Sequence, residues 1–182
     1  MGKVFSEIDE RNAGFIRKQQ LFFVATAPAG SDGFVNCSPK GLESFAILDP
    51  LTVAYLDLTG SGAETIAHVR QNGRITFLFC AFEGAPRLLR LYGEADVVEP
   101  GDTDWDGLCT HFPSYGSARS IIRAKLTRIA DSCGYGVPQY RFDAERPQLL
   151  EWAERKGPEG VAEYQRENNA KSLDGLPALR QR

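Results

Sequence analysis

The chain has 182 residues, 42% of them hydrophobic, and its 21 Lys and Arg against 24 Asp and Glu give a formal net charge of −3. That length predicts one domain, or one domain with an appendage, with enough apolar content for a packed core. The acidic balance argues against nucleic acid or an anionic membrane as partner, because no basic field exists to attract either.

The start, MGKVFSEIDERN, has no secretory hydrophobic region, and no apolar run reaches the length of a membrane span. Gly2 and Ser6 fit the short N-myristoylation pattern, with no polybasic patch or second lipid site beside them. Residues 6–19 read as a short helix with Ser6 as N-cap and acids in the first turn. LFFVATA (21–27) reads as a buried strand and FVNCS (34–38) as its hairpin partner across the turn PAGSDG. TVAYLDL (52–58) is a further strand, rich in β-branched and aromatic residues. A helix runs from Ser61 to Asn72, with Ile66 and Val69 on one face and Gly73 as its terminator.

RITFLFCAF (74–82) and RLLRLYGEADVVE (87–99) read as strands, the second with Gly93 at a bulge or a close approach. Asp102 to His111 is a short helix, and 119–132 alternates as a strand. From Glu145 onward two charged helices are broken at Gly157-Pro158, and SLDGLPALRQR is a polar tail, loosely held unless it docks. Cys37, Cys80, Cys109 and Cys133 form no CxxC pair, and only His68 and His111 could join them, so no zinc site is expected. The cysteines read as reduced thiols of a cytoplasmic protein, with Cys80 a core residue.

The stretch YLDLTGSGAETIAHV (55–69) brings a strand end, a glycine turn and a helix start together. Ser61 and Glu64 have the spacing of a capping box, which needs no ligand. Gly60 and Gly62 also let backbone N–H groups approach a bulky group, and the hydroxyls of Thr59, Ser61 and Thr65 surround a helix start that favours an anion. Lys40, Arg87 and Arg90 are the candidate cations; Arg90 sits among apolar neighbours and needs a partner, which Glu94 can also supply. His68 follows Glu64 by four residues, so an i,i+4 pair is its plain role and a ligand contact its functional one.

The order VNCSPKG, VAYLDLTGSGAETIAHV and NGRITFLFCAFEGAPRLLRLYGEA resembles the pyridoxamine 5′-phosphate oxidase-like family, the FMN-binding split β-barrels, over roughly residues 15–130. SCGYGVP and WAERKGPEG extend the resemblance to a bacterial branch of it. The resemblance implies a mainly β fold with α: an antiparallel split β-barrel with a crossover helix and C-terminal helices. Residues 1–144 would form the FMN-binding barrel, and 145–182 a helical extension packed on the barrel or on a partner subunit. It implies a cytoplasmic homodimer with FMN at the subunit interface. Carried over, the cofactor contacts are Ser38, Lys40, Thr59, Ser61, Gly62 and Thr65, with His68 near the ribityl chain and Arg90 near the ring or phosphate.

The same resemblance implies an FMN-dependent oxidoreductase acting on a small molecule, with no catalytic acid–base pair recognisable. The deazaflavin F420 on the same fold, or a non-catalytic flavin carrier or sensor, are the alternatives; both cofactors present a phosphate. The C-terminal Arg-x-His segment of true pyridoxamine phosphate oxidases is absent, and acidic helices stand in its place. A neutral or aromatic substrate is expected rather than pyridoxamine phosphate.

Overall fold

The computed structural model describes residues 2–181. Its strands are β1 (Val4–Phe5), β2 (Phe22–Thr26), β3 (Asn36–Lys40), β4 (Phe45–Asp49), β5 (Thr52–Leu58), β6 (Arg74–Cys80), β7 (Leu88–Val98) and β8 (Ala118–Ser132). Its helices are α1 (Glu10–Arg17), α2 (Glu64–Asn72), α3 (Trp105–Cys109) and α4 (Gln148–Asn168). The strands form one antiparallel sheet in the order β3-β2-β6-β7-β8-β5-β4, with β1 paired to β8. β5 and β6 are consecutive in the chain yet have two strands, β7 and β8, between them in the sheet, and α2 makes the crossover.

The sheet curls because its alternating strands turn one face inward. In β2 the residues Phe22, Val24 and Thr26 are buried, and in β6 Ile75, Phe77 and Phe79 are buried, while the intervening side chains face out. Phe22 and Phe79 from one half of the sheet meet Phe45 and Tyr55 from the other. The Phe45 ring lies 5.0 Å from both Phe22 and Phe79, and Tyr55 lies 5.9 Å from Phe22. Those edge-on contacts draw β2 and β6 onto β4 and β5, and make a split barrel with an aromatic interior. Cys80, which follows Phe79 in β6, is also buried, outside that aromatic cluster.

Several boundaries differ from the sequence expectation. The cap of α1 is Asp9, whose carboxylate accepts from the Asn12 N–H at 2.7 Å; Ser6 lies outside the helix, just past β1. The hairpin partner of β2 spans 36–40 rather than 34–38, with Phe34 and Val35 exposed ahead of it. The helix expected from Ser61 begins at Glu64, and its cap, Ala63, offers no side-chain hydrogen bond. The break expected at Gly157-Pro158 is present: Gly157, with a non-helical φ of +67° and ψ of 170°, divides α4 into two helical arms ahead of Pro158. The kink brings Trp152 and Tyr164 into ring contact at 5.1 Å.

The tail is docked. Residues 169–181 fold back as a strap: Ala178 N–H bonds Ala170 O, Leu179 N–H bonds Asn169 O, and the Ala178 and Leu179 side chains are buried in the main core. Arg70 on α2 and Arg180 on the strap both pair with the buried Glu99 carboxylate.

Between β7 and β8 the register shifts at Tyr92/Gly93, and an added Cβ on Gly93 would lie 2.4 Å from the Lys125 carbonyl oxygen. A bulge and a close approach thus coincide at one glycine. Gly93→Ala is expected to destabilise the fold by about 1–3 kcal/mol through forced backbone displacement. Urea denaturation measures this, and an unchanged midpoint would show that the approach is not tight.

Candidate functional site

β3 alternates with period two: Asn36, Ser38 and Lys40 are partly covered, whereas Cys37 and Pro39 are exposed. Three polar side chains therefore form a stripe along the inner side of an edge strand. The Asn36 amide donates to Thr65 Oγ1 at 3.0 Å and to Thr26 Oγ1 at 3.2 Å, and its oxygen accepts from Ser38 Oγ at 2.9 Å. Lys40 Nζ donates to Asp57 Oδ1 at 2.9 Å and lies 5.5 Å from the Tyr55 ring centre. The turn that follows Lys40 places Leu42 and Glu43 at φ of 60° and 51°, a conformation costing on the order of 1–3 kcal/mol per residue. The Tyr115 hydroxyl holds that turn by donating to Leu42 O.

Asp57 is fully buried, and its second oxygen accepts from Arg119 Nε at 2.7 Å. Burial pushes its carboxyl up, but the Arg119 and Lys40 charges and hydrogen bonds outweigh this and hold it at about 2. Arg119 reaches Asp57 because the β5–β8 register slips there: Asp57 pairs with Ser120 and Leu58 with Ala118, so Arg119 is the extra residue of a bulge. Two cations share one ionised carboxylate, which leaves the cluster with one positive charge in excess.

The corner at 59–63 lies beside this cluster. Thr59 Oγ1 donates to Ser117 O at 2.8 Å and accepts from Gln165 Nε2 at 2.8 Å; Asn169 Nδ2 donates to Gly60 O at 2.9 Å. Ser61 is exposed, and an added Cβ at Gly60 would meet nothing within 4 Å, so the corner opens outward there. The expected capping box is absent. Glu64 bends over Gly62 and accepts from the Leu173 N–H at 3.1 Å, because the strap presents a better-placed donor than Ser61 does. The N-terminus of α2 is left without a side-chain cap.

His68 is fully buried. Its Nδ1 lies 3.0 Å from Thr26 Oγ1, and its Nε2 has no hydrogen bond among the described residues and lies 3.9 Å from Asp174 Oδ2. The expected i,i+4 pairing with Glu64 gives way to these partners. Burial pushes the His68 pKa down, with the Asp174 and Glu64 charges opposing it. The Tyr55 hydroxyl is likewise buried without a partner among the described residues.

Of the residues singled out from sequence, Ser38, Lys40, Thr59, Ser61, Gly62, Thr65 and His68 come together along β3, the corner and the first turns of α2. Arg90 does not join them within one chain. It lies on the outward face of β7, in register with Leu78, Phe23 and Pro39 across three neighbouring strands, whereas Ser38 and Lys40 line the inner face. Its partner is Ser132 Oγ at 3.0 Å, not Glu94. Arg87 pins α1, donating to Asn12 Oδ1 and lying 4.7 Å from the Phe15 ring centre. Sequence reasoning missed Asn36, Asp57 and Arg119. The period of Ser38 and Lys40 points to Asn36, and a carboxylate in the otherwise buried run VAYLDL points to Asp57.

Among the described residues no group of three or more His, Cys, Asp or Glu could hold a metal ion, and no helix is long and apolar enough to cross a membrane.

The depressed Asp57 pKa fixes a sign. Its stabilising contribution is complete above the unfolded value near 4 and is lost as pH falls through the folded value of about 2. The contribution is about 2 kcal/mol. Asp57→Asn is expected to unfold more readily at pH 7, because Lys40 and Arg119 lose their counter-charge, and to show an acid limb shallower by that amount. Denaturant titrations from pH 7 to pH 2 on both proteins check this; equal slopes would mean that Asp57 is not held by the two cations.

The family model described as pyridoxamine 5′-phosphate oxidase matches residues 8–133. The pyridoxamine 5′-phosphate oxidase family protein ustO of Aspergillus flavus is 42% identical over 179 residues, covering 89% of this chain and 72% of that one. Among solved structures, HupZ of Group A Streptococcus aligns with a TM-score of 0.55 at 21% identity, over 74% of this chain and 99% of that one. A Lactobacillus delbrueckii protein aligns with a TM-score of 0.53 at 19% identity, over 70% and 98%. These structural likenesses concern the fold. The family match runs from α1 through the end of β8, across the barrel and the polar cluster alike, and with the fungal relative it establishes that this chain belongs to the pyridoxamine 5′-phosphate oxidase family.

Proposed function

We propose that the chain is an FMN-dependent oxidoreductase of its family acting on a small molecule. The observation that carries this reading is the convergence of the β3 polar stripe, a net positive Lys40–Asp57–Arg119 cluster and an uncapped helix start on one corner. An anion is the ligand that such a donor set favours. The residues fit a phosphorylated polyol chain: Ser38, Lys40, Thr59, Ser61, the Gly62 backbone and Thr65 would hold the phosphate end. His68 Nε2 and the Tyr55 hydroxyl, buried and unpartnered among the described residues, would take polar groups further along. The flavin would supply reversible hydride or electron transfer, and the chain's own task is binding, orientation and exclusion of water.

A homodimer belongs to the same reading. The outward row Phe23, Leu78, Arg90 and Ala130 runs across β2, β6, β7 and β8, and Phe23, Leu78 and Arg90 in it are only partly covered. A second copy would cover this face and could place its Arg90 against a flavin that the first copy holds.

Purified protein is expected to carry a flavin absorbance band, with FMN rather than F420 released and identified by mass spectrometry. Lys40→Ala is expected to weaken FMN binding about 10- to 100-fold, the loss of one charge-assisted contact. Equal FMN affinity in parent and variant would remove Lys40 from the site. Light scattering on the flavin-loaded protein is expected to give a dimer at micromolar concentration, and a flavin-loaded monomer would refute the shared site.

A further inference from the structure

A second pocket lies behind the corner, between the last turn of α4, the strap and the adjoining ends of β7 and β8. Its volume is about 100 Å³, and its walls include Glu99, Arg119, Gln165, Arg166, Arg180 and Gln181. Three arginines around so small a space would repel one another if nothing offset them.

Part of that charge is offset by the protein. Glu99 is buried and takes both Arg70 and Arg180, and Arg180 also donates to Asp102 at 2.6 Å. Asp57 takes the Nε of Arg119. What remains is Arg119 Nη1 and the whole of Arg166. Arg119 is 5% exposed, and its Nη1 is buried with no hydrogen-bond partner among the described residues. Arg166 is exposed and makes no ion pair among the described residues. Its place in the last turn of α4 offsets that helix's dipole and accounts for Arg166 alone. It does not account for a buried guanidinium nitrogen left unpaired, which is costly in a folded protein and rare without a ligand or water to satisfy it.

The geometry points to a binding site for a small oxyanion in this pocket, held by the free edge of Arg119, by Arg166 and by the Gln181 amide. The ligand class is a carboxylate or a phosphate, since a planar guanidinium fork matches both. The pocket has room for about three water molecules at ~30 Å³ each, which suits one such head group and not a nucleotide. It adjoins the corner back to back: Arg119 gives its Nε to Asp57 on the corner side, and Gln165 forms a wall here while its Nε2 is spent on Thr59 on the other side.

The test follows the arginine side-chain ¹H–¹⁵N NMR signals of the full chain during titration with inorganic phosphate and, separately, with malonate. Saturable shifts of Arg119 and Arg166 are expected with at least one probe, at a Kd of about 1 mM or tighter. The tighter probe identifies the class. Arg166→Gln, at an exposed and unpartnered position, keeps the fold and should weaken binding about tenfold, the loss of one charge-assisted contact. Absence of saturation with both probes overturns the proposal, as does equal affinity in Arg166→Gln and parent. Weakening by Lys40→Gln but not by Arg166→Gln also overturns it, because the anion then sits in the corner.

Discussion

One buried carboxylate governs the shape of this molecule. Asp57 sits on β5, next to one edge of the sheet, and Lys40 sits on β3, the other edge. Main-chain pairing stops at both edges, so the barrel is closed across its seam by side chains: the phenylalanine cluster inside and the Lys40–Asp57 pair at the end. Arg119 makes the closure tolerable. A lone buried ion pair gains little after desolvation, whereas a carboxylate bonded through both oxygens keeps its charge at a cost the two cations offset. The same arrangement that closes the seam leaves an excess positive charge beside the Thr-Gly-Ser-Gly corner. The binding proposed for the corner would therefore draw on the same residues that close the seam.

The strap is the second constraint. With Gln165 at the end of α4, the strap's Asn169 and Leu173 N–H each satisfy a polar group at the corner, and Asp174 approaches His68 while accepting from the Phe34 N–H at 3.1 Å. In an isolated barrel, Glu64 and the Gly60 carbonyl would face water. With the strap in place the corner is walled on one side and open at Ser61, and the helix start keeps its free N–H groups. The acidic groups Glu64 and Asp174 are engaged by backbone donors, which blunts their repulsion of an anion nearby.

Much of the fold could be read from the sequence, because the strong signals were periodic. The alternation in LFFVATA and RITFLFCAF, the glycine after α2 and the Gly157-Pro158 break all mark what the structure contains. The weaker readings failed where a tertiary partner outbid a local one. Ser6 lost the cap to Asp9, because Val4–Phe5 is drawn into pairing with β8. Ser61 lost the capping box to a residue 112 positions later in the chain, Leu173. Arg119 was invisible for another reason: a bulge is a local slip of register, and no alternation rule assigns an inward side to its extra residue. The gathering of Ser38, Lys40, Thr59, Ser61, Gly62, Thr65 and His68 came from a family likeness. The pairing that organises them, through Asp57, joins strands distant in sequence and leaves no local pattern to read.

The strap also imposes an order of events on biosynthesis. Every residue that walls the corner from behind, Gln165 through Asp174, is translated after the whole barrel has been made. Domains fold while synthesis proceeds at about 5–20 residues per second. The barrel strands therefore leave the ribosome ahead of the strap, so the seam can close while the corner stands uncovered. A cofactor captured in that interval would meet a wider entrance than the finished chain offers, and the strap would then settle over an already filled site.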